Sequence, residues 1–260
     1  GTDVAREAAD LVLTDDNFTT IVRAVEQGRV IYANLRKAVH FLFSCNLSEI
    51  LTIFVAILLG HPTPLLPLQI LWINLVTDTL PALALVRDPA EPDVMARAPR
   101  DPAEAFVTWG FGLRILLEGA LLAAGVLSAY LWIAWQDGPG TRATTVAFVA
   151  IVLIQAFQAM HCRSDRTRWW RLPVNPLSWM ALVALVALQW AAVGYLPMNR
   201  LLGTQPLALG DWGVVGCAVI WPVAVGEAAK AWGWWVSLGR ARPTESGPQL
   251  GERGRTRRNP

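Results

Sequence analysis

The sequence predicts an all-α membrane protein: a bundle of six transmembrane helices, preceded by a short α/β segment. Three observations predict it. Only 16% of the 260 residues are charged, against a typical quarter, and 54% are hydrophobic. From residue 38 to 236 long apolar runs alternate with short polar breaks, and a bilayer core takes ~20 apolar residues per helix. Lysine and arginine gather in alternate breaks. The composition excludes a disordered chain and argues against an ordinary soluble domain.

Residues 1–37 differ from the rest. Leu11-Val12-Leu13 predicts a short strand. Asp15-Asp16-Asn17 then offers N-cap oxygens, Phe18, Ile21, Val22 and Val25 recur at helical spacing, and Gln27-Gly28 could close that helix. One strand and one helix enclose no core, so the segment reads as the edge of a larger soluble domain. The chain begins with Gly1 and no basic-then-apolar signal follows, so an internal point of a longer protein is expected.

The six spans are expected at about 38–59, 65–86, 113–135, 143–161, 176–196 and 212–236. Gly60-His61-Pro62-Thr63-Pro64 is a tight turn, so the first two spans are antiparallel neighbours. Trp169-Trp170 and Trp234-Trp235 fit an interfacial aromatic belt. Residues 237–260, rich in Gly, Pro and Arg, read as a disordered basic tail with a weak pull toward anionic lipid. All 22 lysines and arginines except Arg142 and Arg200 fall toward one side of this arrangement. With an even number of spans, that bias puts both termini in the cytoplasm. Cys45, Cys162 and Cys217 are scattered and odd in number; they suit neither a disulfide framework nor zinc spacing and read as reduced packing residues.

Charges inside a bilayer are costly, and four acids fall within the spans: Glu49, Asp78, Glu118 and Glu227. Glu118 follows Arg114 by four residues and Glu227 precedes Lys230 by three, so both read as ion pairs near the cytoplasmic ends. Glu49 and Asp78 lie near the centres of adjacent spans with no base within one turn. Asn46 shares the Glu49 face, and Asn74, Thr77 and Asp78 stand at i, i+3 and i+4. Two carboxylates, two amides and a hydroxyl form an all-oxygen set of the kind hard cations prefer. The competing reading is a polar interhelical hydrogen-bond network. Pro67 and Pro81 bracket the second group and are expected to weaken that helix and free carbonyls as ligands. Gln155 is a further candidate oxygen from the fourth span, as apt for packing as for ligation; His161 reads as a plain boundary residue. The chain has no phosphate-cradling G-x-x-x-x-G-K-[ST] loop and no evident Ser/His/Asp constellation. An ion site without an energy source belongs to a channel, a secondary transporter or the membrane half of a pump.

Leu71-Trp72-Ile73-Asn74-Leu75-Val76-Thr77-Asp78, followed by Leu80-Pro81-Ala82, resembles the type II P-type ATPases, specifically the calcium pumps. Upstream, Gly1 to Ala5, Asp15 to Phe18 and Gly28-Arg29 resemble the end of that family's phosphorylation domain, and Met95 to Arg100 its approach to the seventh helix. The likeness covers about 1–165, with the last two spans alike only in hydropathy. It implies that 1–37 is the edge of the phosphorylation domain and 38–236 the C-terminal transmembrane domain, with a long fifth helix linking them. Asn46 and Glu49 match the family's fifth-helix ion ligands; Asn74, Thr77 and Asp78 match those of the sixth. Gln155 stands where reticulum-type pumps carry a Glu, a departure at the second ion site. The phosphorylated Asp of Asp-Lys-Thr-Gly-Thr is absent from these residues, so catalytic residues, ATP and Mg²⁺ are expected only in a missing N-terminal portion: four helices and the actuator, nucleotide-binding and phosphorylation domains. Asn-Leu-Val-Thr-Asp, in place of the sodium–potassium relatives' Asp-Leu-Gly-Thr-Asp, favours Ca²⁺ or Mn²⁺. The expected function is the membrane domain of an ATP-driven cation pump in the plasma membrane, inactive as an ATPase alone and without a nucleic-acid partner. The rivals are a stand-alone six-helix channel or transporter and a non-transporting remnant.

Overall fold

The structure, a computed structural model, describes residues 3–9, 12, 17–99, 105–165 and 167–233. Among these residues it is helical, and six helices are long and apolar enough to cross a membrane. A short helix α1, Asp3–Glu7, precedes the bundle. The strand expected at Leu11-Val12-Leu13 falls outside the described residues except for Val12, which is in no strand. The basic tail and Trp234-Trp235 also lie outside them.

The first long helix corrects the sequence reading. Helix α2 runs unbroken from Phe18 to Leu58, 41 residues or about 60 Å. Asn17 caps it as expected, its side chain accepting from the Thr19 N–H at 2.9 Å. Gly28 does not end it. A helix-interior glycine costs only about 1 kcal/mol, and here tertiary contacts hold the first turns in place. Arg29 donates to the carbonyls of Val94, Met95 and Arg97 at 3.1, 3.4 and 2.7 Å. Tyr32 meets the edge of Phe106, and Arg36 lies 4.4 Å from the centre of the Phe111 ring. The end comes near Gly60, whose φ of 79° suits glycine and starts the expected turn.

The second span is segmented: α3 (Pro67–Trp72), a π turn (Ile73–Thr77) and α4 (Thr79–Val86). Pro67 starts α3 at its first turn, where a missing N–H is harmless, so it does not weaken the helix as expected. Gln69, fully buried, accepts from Leu66 N–H and donates to the Leu202 carbonyl, tying the start of α3 to residues far along the chain.

Helix α5 (Trp109–Asp137) and α6 (Thr141–His161) follow as a tight antiparallel pair. Helix α6 is the centre of the bundle. Every residue from Val146 to Val152 is fully buried, which explains why this helix is apolar all round and not on one face. It packs against α5, α7 (Pro176–Gly194) and α9 (Leu209–Ala231), and touches α2 and α4. The fifth span stops at Gly194, and a short α8 (Leu196–Leu202) turns the chain at Gly203, φ 64°. Trp169 packs edge-on against both Trp170 and Trp179.

Candidate cation site at mid-bundle

The C-terminal part of α2, the π turn and α6 bring Glu49, Asn74 and Gln155 into hydrogen-bond contact. Glu49 is 4% exposed, and both of its oxygens are held. Asn74 Nδ2 donates to Oε2 at 2.9 Å, and Gln155 Nε2 donates to Oε1 at 2.9 Å. Gln155, the candidate shared with packing, therefore belongs to the cluster, and its own Oε1 is buried without a hydrogen-bond partner.

Asp78 is the exception to the rule that buried charge finds a partner. It is 2% exposed, and neither carboxylate oxygen has a hydrogen bond. No lysine or arginine is ion-paired with it among the described residues.

The π turn decides how the second group presents itself. Asp78 N–H bonds the Ile73 carbonyl at 2.9 Å, an i→i+5 link that inserts one extra residue into the turn. Asn74, Thr77 and Asp78 share one face in a regular α-helix. Here Thr77 and Asp78 are buried while Asn74 is exposed, although its amide still reaches Glu49. Just beyond, Pro81 has no N–H to offer the Thr77 carbonyl, as expected of a helix-weakening proline. Thr77 Oγ1 donates back to the Ile73 carbonyl and Asn46 Nδ2 to the Leu42 carbonyl, each within its own helix. Neither makes a hydrogen bond to the other four residues. Sequence reasoning missed Thr52, one turn after Glu49 and fully buried with an unpartnered hydroxyl; its i+3 spacing was the available signal.

A second polar cluster lies against the middle of α2, around Lys37 and His40. Arg114 pairs with Glu118 at 2.8 Å and Lys230 with Glu227 at 3.0 Å, as their spacing predicted. Both pairs are buried and joined to others. His161 is 3% exposed and bonds Glu227 at 2.8 Å, so it is a buried link and not a plain boundary residue. Two helix ends pack over it, and sequence shows only that it terminates a span. Arg114 also reaches Asp165 at 2.6 Å. Partial desolvation raises the Asp165 carboxyl pKa, but the Arg114 guanidinium outweighs this and holds it at about 2. Beyond, Asp88 is 5% exposed and gathers Lys37 at 3.0 Å, Arg163 at 2.9 Å and Asn175 at 3.0 Å.

Comparison with known proteins gives the family. The family described as "Cation transporting ATPase, C-terminus" matches residues 62–232, through the last two spans that hydropathy alone had related. The chain is 40% identical to the Calcium-transporting ATPase of Bacillus subtilis (strain 168), covering 83% of this chain and 24% of that protein. It is 38% identical to Calcium-transporting ATPase 1 of Bacillus cereus (strain ATCC 10987 / NRS 248), over 88% and 28%. It is 42% identical to Probable cation-transporting ATPase F of Mycobacterium tuberculosis (strain ATCC 25618 / H37Rv), over 82% and 24%. The chain thus spans about a quarter of the length of these relatives. Six membrane-length helices and this match over most of its residues make it a multi-pass membrane protein, and the chain belongs to the cation-transporting ATPase family, matching that family's C-terminal region.

Proposed function

We propose that this chain is the ion-carrying membrane domain of an ATP-driven pump, and that its transported substrate is Ca²⁺, with Mn²⁺ as the alternative. The observation that carries the reading is Asp78, buried at the bundle centre with both oxygens unpartnered. A carboxylate there is costly unless protonated or matched by a cation. Glu49, fixed by two amides, supplies the second negative charge. Gln155 Oε1 supplies a neutral oxygen, and Asn74, Thr77 and Asn46 supply more when their side chains turn from their present bonds. Two of the relatives are calcium-transporting ATPases. ATP and Mg²⁺ act through the N-terminal portion, where the phosphorylated Asp resides, so residues 1–260 alone hydrolyse no ATP. The continuous α2 carries the movement from 18–37 to Glu49. The ion enters from the cytoplasm, which holds both termini, and leaves across the plasma membrane.

The test is equilibrium ⁴⁵Ca²⁺ binding to the complete pump in Mg²⁺ excess. Saturable binding lost in Asp78→Asn is the expected result. Unchanged binding in that variant makes the cluster a structural polar network and overturns the assignment.

A further inference from the structure

Three side chains from three helix regions meet at the end of the bundle away from the His61 turn. His40 lies on α2, Glu118 on α5, and Cys162 directly follows α6. None is more than 2% exposed. One donor atom of each lies within 4.8 Å of the others. His40 Nδ1 is 3.5 Å from Cys162 Sγ. His40 Nε2 is 3.0 Å from Glu118 Oε2, yet out of hydrogen-bond alignment. Gln158 bridges the other two, its Nε2 lying 2.5 Å from Glu118 Oε2 and 3.5 Å from Cys162 Sγ. Arg114 occupies the opposite carboxylate oxygen, Oε1, and leaves Oε2 to this group.

We propose that His40, Glu118 and Cys162 form a binding site for a transition-metal ion of the zinc class. Tetrahedral Zn²⁺ takes sulfur at ~2.3 Å and nitrogen or oxygen at ~2.0–2.2 Å, so its donors sit roughly 3.3–3.6 Å apart. One ion takes a single nitrogen of the His40 ring, so one of the two short pairs has that spacing, and the other donor, still within 4.8 Å of both, closes onto the ion by side-chain rotation. Thiolate, imidazole and carboxylate together select Zn²⁺, Cd²⁺ or Co²⁺ and reject Ca²⁺ and Mg²⁺, which prefer oxygen alone. Rotation of the Gln158 amide turns its oxygen inward as the fourth ligand. On binding, the Cys162 S–H bond breaks, the sulfur–metal bond forms and the proton passes to solvent. Thiolate and carboxylate then offset the ion's two positive charges beside Arg114. The site is separate from the mid-bundle cluster: His40 precedes Glu49 by nine residues, ~13 Å along α2. A bound ion fastens α2 to α5 and α6 at one end and leaves the Glu49 and Asp78 oxygens untouched.

The probe is Co²⁺ added to the purified chain in detergent micelles, read by thiolate-to-cobalt charge-transfer absorption in the near ultraviolet. The wild-type chain is expected to show this band, displaced by Zn²⁺ and unaffected by excess Ca²⁺. A Cys45→Ser/Cys217→Ser double variant, leaving Cys162 as the sole thiol, is expected to keep it. Cys162→Ser, with helix content verified by circular dichroism, is expected to lose it. Absence of the band in the double variant, or its survival in Cys162→Ser, overturns the proposal. Neither outcome bears on Ca²⁺ binding at Asp78.

Discussion

Gln155 on α6 donates its amide to Oε1 of Glu49 on α2 at 2.9 Å, joining residues 106 apart in sequence. With Asn74 on the other oxygen, Glu49 is fully engaged within the protein. Asp78 is not engaged at all by hydrogen bonds. The two central carboxylates therefore differ in kind: one is anchored, the other is left without a donor.

That difference ranks the variants of the complete pump. Asp78→Asn keeps size and one oxygen but removes the unmatched charge, and it is expected to abolish Ca²⁺-dependent phosphorylation by ATP. Glu49→Gln should weaken it strongly. Gln155→Ala removes a neutral oxygen and frees one Glu49 oxygen, and should weaken it modestly. A Ca²⁺ titration of phosphoenzyme in the three variants checks the order; near-normal Ca²⁺ dependence in Asp78→Asn would contradict it.

Close packing of α5 against α9 depends on Gly125. A Cβ there would sit 2.7 Å from Pro222 Cγ and 2.9 Å from the Ala218 carbonyl oxygen, and backbone cannot step aside. Gly125→Ala is expected to destabilise the bundle by about 1–3 kcal/mol. Gly112→Ala, at the start of the same helix with nothing within 4 Å, should be neutral or stabilising by up to about 1 kcal/mol. Thermal unfolding in detergent compares them, and equal shifts would refute the packing argument.

Asp88 holds Lys37 and Arg163 in a buried network that closes one end of the bundle. Asp88→Asn leaves both cations facing an amide, a loss of about 3–5 kcal/mol. Glu91→Gln, at the more exposed margin of the same network, should cost about 1 kcal/mol or less. Chemical denaturation of the two variants measures the gap, and a smaller loss for Asp88→Asn would count against the network.

The bias of basic residues predicts the membrane orientation. In whole cells, cysteines introduced at Gly140 and Gly210 should react with an impermeant thiol reagent added outside. Cysteines at Ala90 and Ala96, both exposed in the loop after α4, should not react until the membrane is opened. The reverse pattern would invert the topology.

Sequence by itself determined the spans and the local pairs. Apolar length located six membrane helices, because the cost of exposing polar backbone to lipid leaves few alternatives, but it did not show that α2 begins at Phe18, well before its apolar run. Spacing within a helix found Arg114–Glu118 and Glu227–Lys230, and an amide before an apolar run found the Asn17 cap. Tertiary structure decided the rest. Gly28 continues α2 because Arg29, Tyr32 and Arg36 are held by the 94–111 segment, which no local pattern reveals. The π turn sets which of Asn74, Thr77 and Asp78 faces inward, since one extra residue in a turn changes the face that spacing assigns. His40, Glu118 and Cys162 meet only because the middle of α2, the first part of α5 and the end of α6 pack at the same level of the bundle. Those contacts join residues up to 122 positions apart, and their geometry is fixed by helix packing, where periodicity along one helix carries no information.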